Sequence, residues 1–116
     1  MKRLMIVADN SFAAQSIRLA LRQTAGFQVV GFVDGTMPIT SRVAELDPQL
    51  VLLDVQLPDV DGFEIARRLT AEGGPAVILV SSRDGSDFGP LVERSGARGF
   101  IPKAELSGAA LSALLA

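Results

Sequence analysis

The amino-acid sequence predicts an α/β fold in which a parallel sheet carries helices on both faces, and three observations lead there. Short apolar runs alternate with stretches of helical period along the chain, giving five β-then-α units. The strand runs, such as Leu50-Val51-Leu52-Leu53 and Val77-Ile78-Leu79-Val80, are continuously apolar. A strand with one face in water would alternate, so these are expected to be buried on both faces, as in a doubly wound sheet. The 116 residues suit one domain, 1–116, with a single site or surface.

Arg3 to Ala8 reads as the first strand, and Ser11 suits the N-cap of a helix through Gln23 with Ala13, Ile17, Ala20 and Leu21 inward. Gly26 ends it. Phe27 to Val33 is the second strand. The turn Asp34-Gly35 then leads to a helix from Pro38 to Leu46, with Ile39, Val43 and Leu46 on one face and Asp47-Pro48 as its stop. Leu50 to Leu53 is the third strand. After a loop to Gly62, Phe63 to Ala71 forms a helix with Phe63, Ala66 and Leu69 near one side, broken by Gly73-Gly74-Pro75. Ala76 to Val80 and Ala97 to Ile101 are the fourth and fifth strands, and Pro90 favours the first turn of a helix from Gly89 to Ser95 between them. The last helix is expected over Ala104 to Leu115, with Leu106, Ala110, Ala113 and Leu114 on one side. Crossovers between such parallel strands are right-handed.

Composition removes several chemistries. With no His, Cys, Trp or Tyr, the chain cannot host a Ser-His-Asp triad, a thiolate nucleophile, a zinc finger or a disulfide. Carboxylates, hydroxyls and amines remain. Eleven Lys and Arg against thirteen Asp and Glu leave a net charge of −2, the opposite of a nucleic-acid footprint, so no direct nucleic-acid contact is expected. The apolar runs are too short for a membrane span, and Asp9 comes before a signal-peptide core can form; a cytoplasmic protein with no membrane contact is the expectation.

In an open parallel sheet, ligands bind beyond the carboxyl ends of the strands. The residues there, in order, are Asp9, Asp34, Asp54, Ser81 and Lys103. Each alone is equally well read as a turn or cap residue, and Asp34 before Gly35 looks like one. Together they place two acids beside the switch point, a hydroxyl after strand four and an amine after strand five. Nine of the eleven cations are Arg and the other Lys is Lys2, so the fold carries one compact ammonium away from its first residues, at a strand end.

These residues carry a family resemblance. Leu52-Leu53-Asp54-Val55-Gln56-Leu57-Pro58-Asp59-Val60-Asp61-Gly62, with Pro four and Gly eight residues after Asp54, resembles the phosphoacceptor loop of bacterial response-regulator receiver domains. Ile6-Val7-Ala8-Asp9-Asn10, Val80-Ser81-Ser82 and Gly99-Phe100-Ile101-Pro102-Lys103 resemble the family's motifs after strands one, four and five. The resemblance implies a flavodoxin-like (βα)5 domain of strand order 2-1-3-4-5. It further implies that Asp54 accepts a phosphoryl group from a sensor histidine kinase or phosphotransfer protein. Mg²⁺ would be held by Asp9, Asp54 and the Gln56 backbone carbonyl, Lys103 would pair with Asp54 or a phosphoryl oxygen, and Ser81 would bind the phosphoryl group. The chain would then be no enzyme beyond its own phosphotransfer and dephosphorylation. Ser81 and Phe100 would act as the switch, opening a face of helix 4, strand 5 and helix 5 to a downstream protein, an output domain or a second copy in a homodimer. Phe88, Leu91, Phe100, Leu111 and Leu115 are its candidate apolar contacts.

The sequence departs from the family in three places. Ala8 stands where the first of two adjacent acids is usual, which implies weaker Mg²⁺ binding without its loss. Ala104 follows Lys103 where many members have Pro. Phe100 lacks the hydroxyl of the Tyr often found there, so packing alone can favour an inward ring. Two other readings stay open on the sequence. One is a pseudo-receiver acting as a phosphorylation-independent interaction module, supported by Ala8. The other is a flavodoxin-like cofactor protein or Asp phosphatase, opposed by the lack of a glycine-rich loop after strand one and by Gln56 in place of a second Asp.

Overall fold

The computed structural model describes residues 2–8, 26–33, 39–55, 57, 61–81 and 88–115. The helix expected over 11–23, the turn Asp34-Gly35, Asp9 and Gln56 lie outside the described residues. The elements in chain order are β1 (Lys2–Val7), β2 (Phe27–Val33), α1 (Ile39–Leu46), β3 (Leu50–Asp54), α2 (Gly62–Thr70), β4 (Ala76–Ser81), α3 (Gly89–Arg94), β5 (Gly99–Pro102) and α4 (Gly108–Leu115). All strand pairs are parallel, and the five strands lie in the order β2-β1-β3-β4-β5.

The apolar runs divide residue by residue between the two sheet faces. Leu4, Ile6, Leu50, Leu52, Ile78, Val80 and Ile101 share one core with Leu106 and Leu111. Met5, Val7, Val33, Val51, Leu53, Val77 and Leu79 share the other with Ile39, Val43, Ala66 and Leu69. Successive strand side chains point to opposite faces, so a strand covered on both sides has to be apolar at every position. The central parts of β1, β3 and β4 meet that requirement, with Leu4 to Val7, Leu50 to Leu53 and Val77 to Val80 fully buried.

Helix ends are set by identifiable contacts. Asp47 at the end of α1 takes a left-handed φ of 48° and donates its N–H to the Val43 carbonyl, doing as an αL cap what Gly usually does. Asp61 caps α2 by accepting from the N–H groups of Phe63 (2.9 Å) and Glu64 (3.4 Å). At the opposite ends of α2 and α3, buried Ser95 donates to the Val92 carbonyl (2.6 Å) and accepts from Ala97 N–H (3.1 Å), while Thr70 Oγ1 donates to the Ser95 carbonyl (3.2 Å).

Several expected boundaries move. Asp54 and Ser81 belong to their strands, because ladder pairing continues one residue past the apolar run, with Asp54 opposite Val80 and Ser81 opposite Pro102. β5 begins at Gly99, two residues later than expected. The largest correction concerns the last helix, which starts at Gly108 after a 3₁₀ turn over Lys103–Glu105. Ser107 is its cap, accepting Ala110 N–H at 3.1 Å. The changed phase turns Leu111 fully inward and leaves Ala113 exposed, so Leu111 is a core residue and no surface contact.

Gly62 makes a tight junction with the end of β3. A Cβ there would lie 2.8 Å from Val55 Cα and 3.2 Å from the Asp54 carbonyl oxygen, both backbone atoms that cannot swing aside. Gly62→Ala is expected to destabilise the fold by about 1–3 kcal/mol, the usual cost of overpacking, measured as a lowered urea midpoint with unchanged m-value.

Candidate phosphoacceptor site

Asp54, Ser81 and Lys103 come from the carboxyl ends of β3, β4 and the turn after β5, three neighbours in the sheet. The ladder continues to this level through Val55 N–H, which donates to the Val80 carbonyl at 3.1 Å. Asp54 and Ser81 are two of the three buried polar or charged residues among those described; the third, Ser95, is at the other end of the sheet.

Asp54 is 1% exposed, and its Oδ2 accepts from Lys103 Nζ at 2.8 Å. Lys103 keeps 28% of its side-chain surface in water. A carboxylate withdrawn this far from solvent needs a partner charge, and a lysine with its stem inward and part of its surface wet supplies one. Such an ammonium is compact and has three donors, so it can hold Asp54 and turn toward another anion that arrives beside it. The site therefore offers a buried oxygen nucleophile, a cation able to follow negative charge, and the Ser81 hydroxyl within the same strand-end layer.

Ala8 is also fully buried and donates its N–H to the Val33 carbonyl at 3.1 Å. Val7 pairs with Leu53, so Ala8 and Asp54 are the next residues along adjacent strands. An apolar methyl thus occupies the strand-end position beside Asp54. Among the described residues no group of three His, Cys, Asp or Glu side chains could hold a metal ion; Asp9 and Gln56, the other proposed metal donors, lie outside them. The donor chemistry nonetheless fits a hard divalent ion, since Asp54 is a buried carboxylate at the end of β3 and Asp9 follows the end of β1.

Phe100 lies half-buried on β5 with its ring centroid 5.7 Å from that of Phe88, and Phe88 lies 5.6 Å from Phe63. Sequence reasoning assigned Phe63 only to the inward stripe of a helix and missed this array. The available signal was weak: six phenylalanines in a chain with no Tyr or Trp. Of the expected surface contacts, Leu91 is 44% exposed and Phe88, Phe100 and Leu115 are half-buried.

The family model for the response regulator receiver domain matches residues 4–115. The DNA-binding response regulator MtrA of Mycolicibacterium paratuberculosis is 33% identical over 102 residues, covering 88% of this chain and 44% of that protein. A protein-glutamate methylesterase/protein-glutamine glutaminase of Myxococcus xanthus is 35% identical over 81 residues, 69% of this chain and 23% of its own length. The chain thus spans less than half of either relative. The signal receiver domain of the response regulator NarL from Mycobacterium tuberculosis superposes with a TM-score of 0.82 over 98% of this chain and 96% of its own, at 24% identity, a likeness of fold. The BeF3-activated receiver domain of Klebsiella pneumoniae RstA gives 0.75 over 97% and 94%, at 27% identity. No helix among the described residues is long and apolar enough to cross a membrane. The match across nearly the whole chain and the shared strand order make it a member of the response regulator receiver domain family of two-component signalling.

Proposed function

We propose that the chain accepts a phosphoryl group on Asp54 from a phosphohistidine of a sensor histidine kinase or phosphotransfer protein, and that the modified site alters a protein-binding face. The buried Asp54 carboxylate held by Lys103 at 2.8 Å carries this reading. In the transfer, a carboxylate oxygen of Asp54 forms the new bond to phosphorus. The phosphorus–nitrogen bond of the donor breaks, its electron pair stays on the imidazole nitrogen, and an acyl phosphate remains. Lys103 shifts from the carboxylate to a phosphoryl oxygen, and the Ser81 hydroxyl donates to another. The chain has no turnover on other substrates; the same residues later admit water to hydrolyse the acyl phosphate.

Asp9, Asp54 and the Gln56 carbonyl are the donors that would hold Mg²⁺, which when bound offsets the repulsion between the carboxylate and the phosphoryl oxygens. The output face is assigned to α3, β5 and α4, where α3 buries none of its residues completely and Leu91 stands exposed. Its partner is a downstream protein, an output domain or a second copy; direct nucleic-acid contact is not assigned to these residues, although MtrA is by name DNA-binding.

Three outcomes are expected. Incubation with acetyl phosphate and Mg²⁺ adds one phosphoryl group by intact mass, and Asp54→Asn abolishes the gain; undiminished labelling of that variant would move the acceptor to another residue, and no labelling of the parent chain would leave a phosphorylation-independent module. In Mg²⁺ titrations Ala8→Asp binds roughly tenfold more tightly, as expected for one charge about 5 Å from a divalent ion in a water-like dielectric, whereas Asp9→Ala nearly loses binding. A partner of the output face prefers the phosphorylated form by roughly 5- to 150-fold, and Ser81→Ala lowers that ratio, with amide exchange changing over residues 81 to 103.

A further inference from the structure

The backbone that carries Asp54 and the edge strand β5 are joined by a continuous series of contacts that ends in three aromatic rings. Gly62 opens α2 against β3 so closely that a Cβ would meet Val55 Cα at 2.8 Å and the Asp54 carbonyl oxygen at 3.2 Å. The first turn of α2 is fixed from the other side by the Asp61 cap, which accepts from Phe63 N–H. Phe63 therefore directly follows the residue that packs on the end of β3, within a helix turn fixed by its cap. Its ring lies 5.6 Å from Phe88 at an interplanar angle of 49°, and Phe88 lies 5.7 Å from Phe100 at 45°. Both are tilted geometries within the range in which aromatic pairs attract. Phe63 and Phe100 also pack against the same sheet-face core.

Phe100 has no hydroxyl, so no hydrogen bond can hold its ring in one position; the ring goes where its neighbours leave room. One of those neighbours, Phe88, immediately precedes α3, a helix of six residues that buries none of them completely. A helix with so little buried surface has low local stability and follows its anchors. We propose that Phe63 and Phe88 are positioning residues that set the ring of Phe100 and the start of α3. A change at Asp54 then reaches the output face through Gly62 and the three rings, alongside any movement of the Ser81 hydroxyl. The proposal rests on the phosphoacceptor reading for what changes Asp54, while the coupling among the rings is a property of the fold.

Spatial adjacency becomes coupling only when a perturbation at one end is read at the other. The decisive variant is Phe63→Leu, because the ring contact of Phe63 is with Phe88, one step removed from Phe100. With 4-fluorophenylalanine at position 100, fluorine NMR of the full chain reports that ring with and without beryllofluoride and Mg²⁺. Phe63→Leu is expected to move the resting Phe100 signal and to change the ratio of its two positions roughly two- to tenfold, the effect of losing one aromatic pair. Phe63→Tyr, which keeps the ring, behaves like the parent. Phe88→Leu has its own effect, and adding Phe63→Leu to it changes nothing further, since the series is already cut. Labelling of Asp54 by acetyl phosphate stays at the parental level in Phe63→Leu. A Phe100 signal that rests and responds in Phe63→Leu as in the parent, or effects of the two substitutions that simply add, overturns the proposal. Failure of the parent chain to take up phosphate overturns the phosphoacceptor reading alone, because the resting signal still decides whether the rings are coupled.

Discussion

A parallel sheet buried on both faces leaves polar side chains almost nowhere to go except its ends. β1, β3 and β4 spend their interior positions on Leu, Ile, Val and Met, divided between the two cores. A charge within those runs would be removed from water without a partner, at a cost of several kcal/mol per ion. Chemistry is therefore pushed to the carboxyl ends, where Asp54 and Ser81 are the first polar residues that the ladder permits. The location of the site follows from the requirement that makes the sheet stable.

The Asp54–Lys103 pair shows how that end is organised. Asp54 closes β3 and Lys103 follows β5, with β4 between those strands, so the contact spans the layer across an intervening strand. Because Lys103 retains part of its surface in water, it pays less for desolvation than Asp54 does. Leaving Asp54 buried without a cation would be the more costly state, which makes the lysine a structural partner of the carboxylate as well as a candidate participant in its chemistry. One ion pair thus gives the buried carboxylate its partner and fixes its orientation at the end of β3.

The opposite end of the sheet is pinned differently. Gln49 accepts from Arg3 N–H through its side chain and donates its own N–H to the Arg3 carbonyl, while Ala76 N–H donates to the Gln49 carbonyl, joining the starts of β1, β3 and β4. Thr70 and Ser95 bind the ends of α2 and α3 together. These are neutral, mutually satisfied hydrogen bonds, suited to holding one arrangement. The carboxyl end instead depends on one ion pair, whose ammonium has rotatable donors, and on the contacts of three aromatic rings.

The apolar runs were sufficient to read the parallel sheet, its five strands and the residues at their ends, because two-face burial writes itself into consecutive positions. Asp54, Ser81 and Lys103 were legible for the same reason: each is the polar residue that closes or follows a buried run. Contacts between elements were not legible. Nothing in the helical periodicity over 104–115 distinguished a helix starting at Ala104 from one capped by Ser107, and that difference turned Leu111 from a surface residue into a core one. Phe63 read as an inward helix position, and only packing showed that it meets the ring of Phe88, which is distant in sequence and in turn meets Phe100. Local pattern records whether a residue is buried; which distant residue it is buried against is decided by how the helices lie on the sheet.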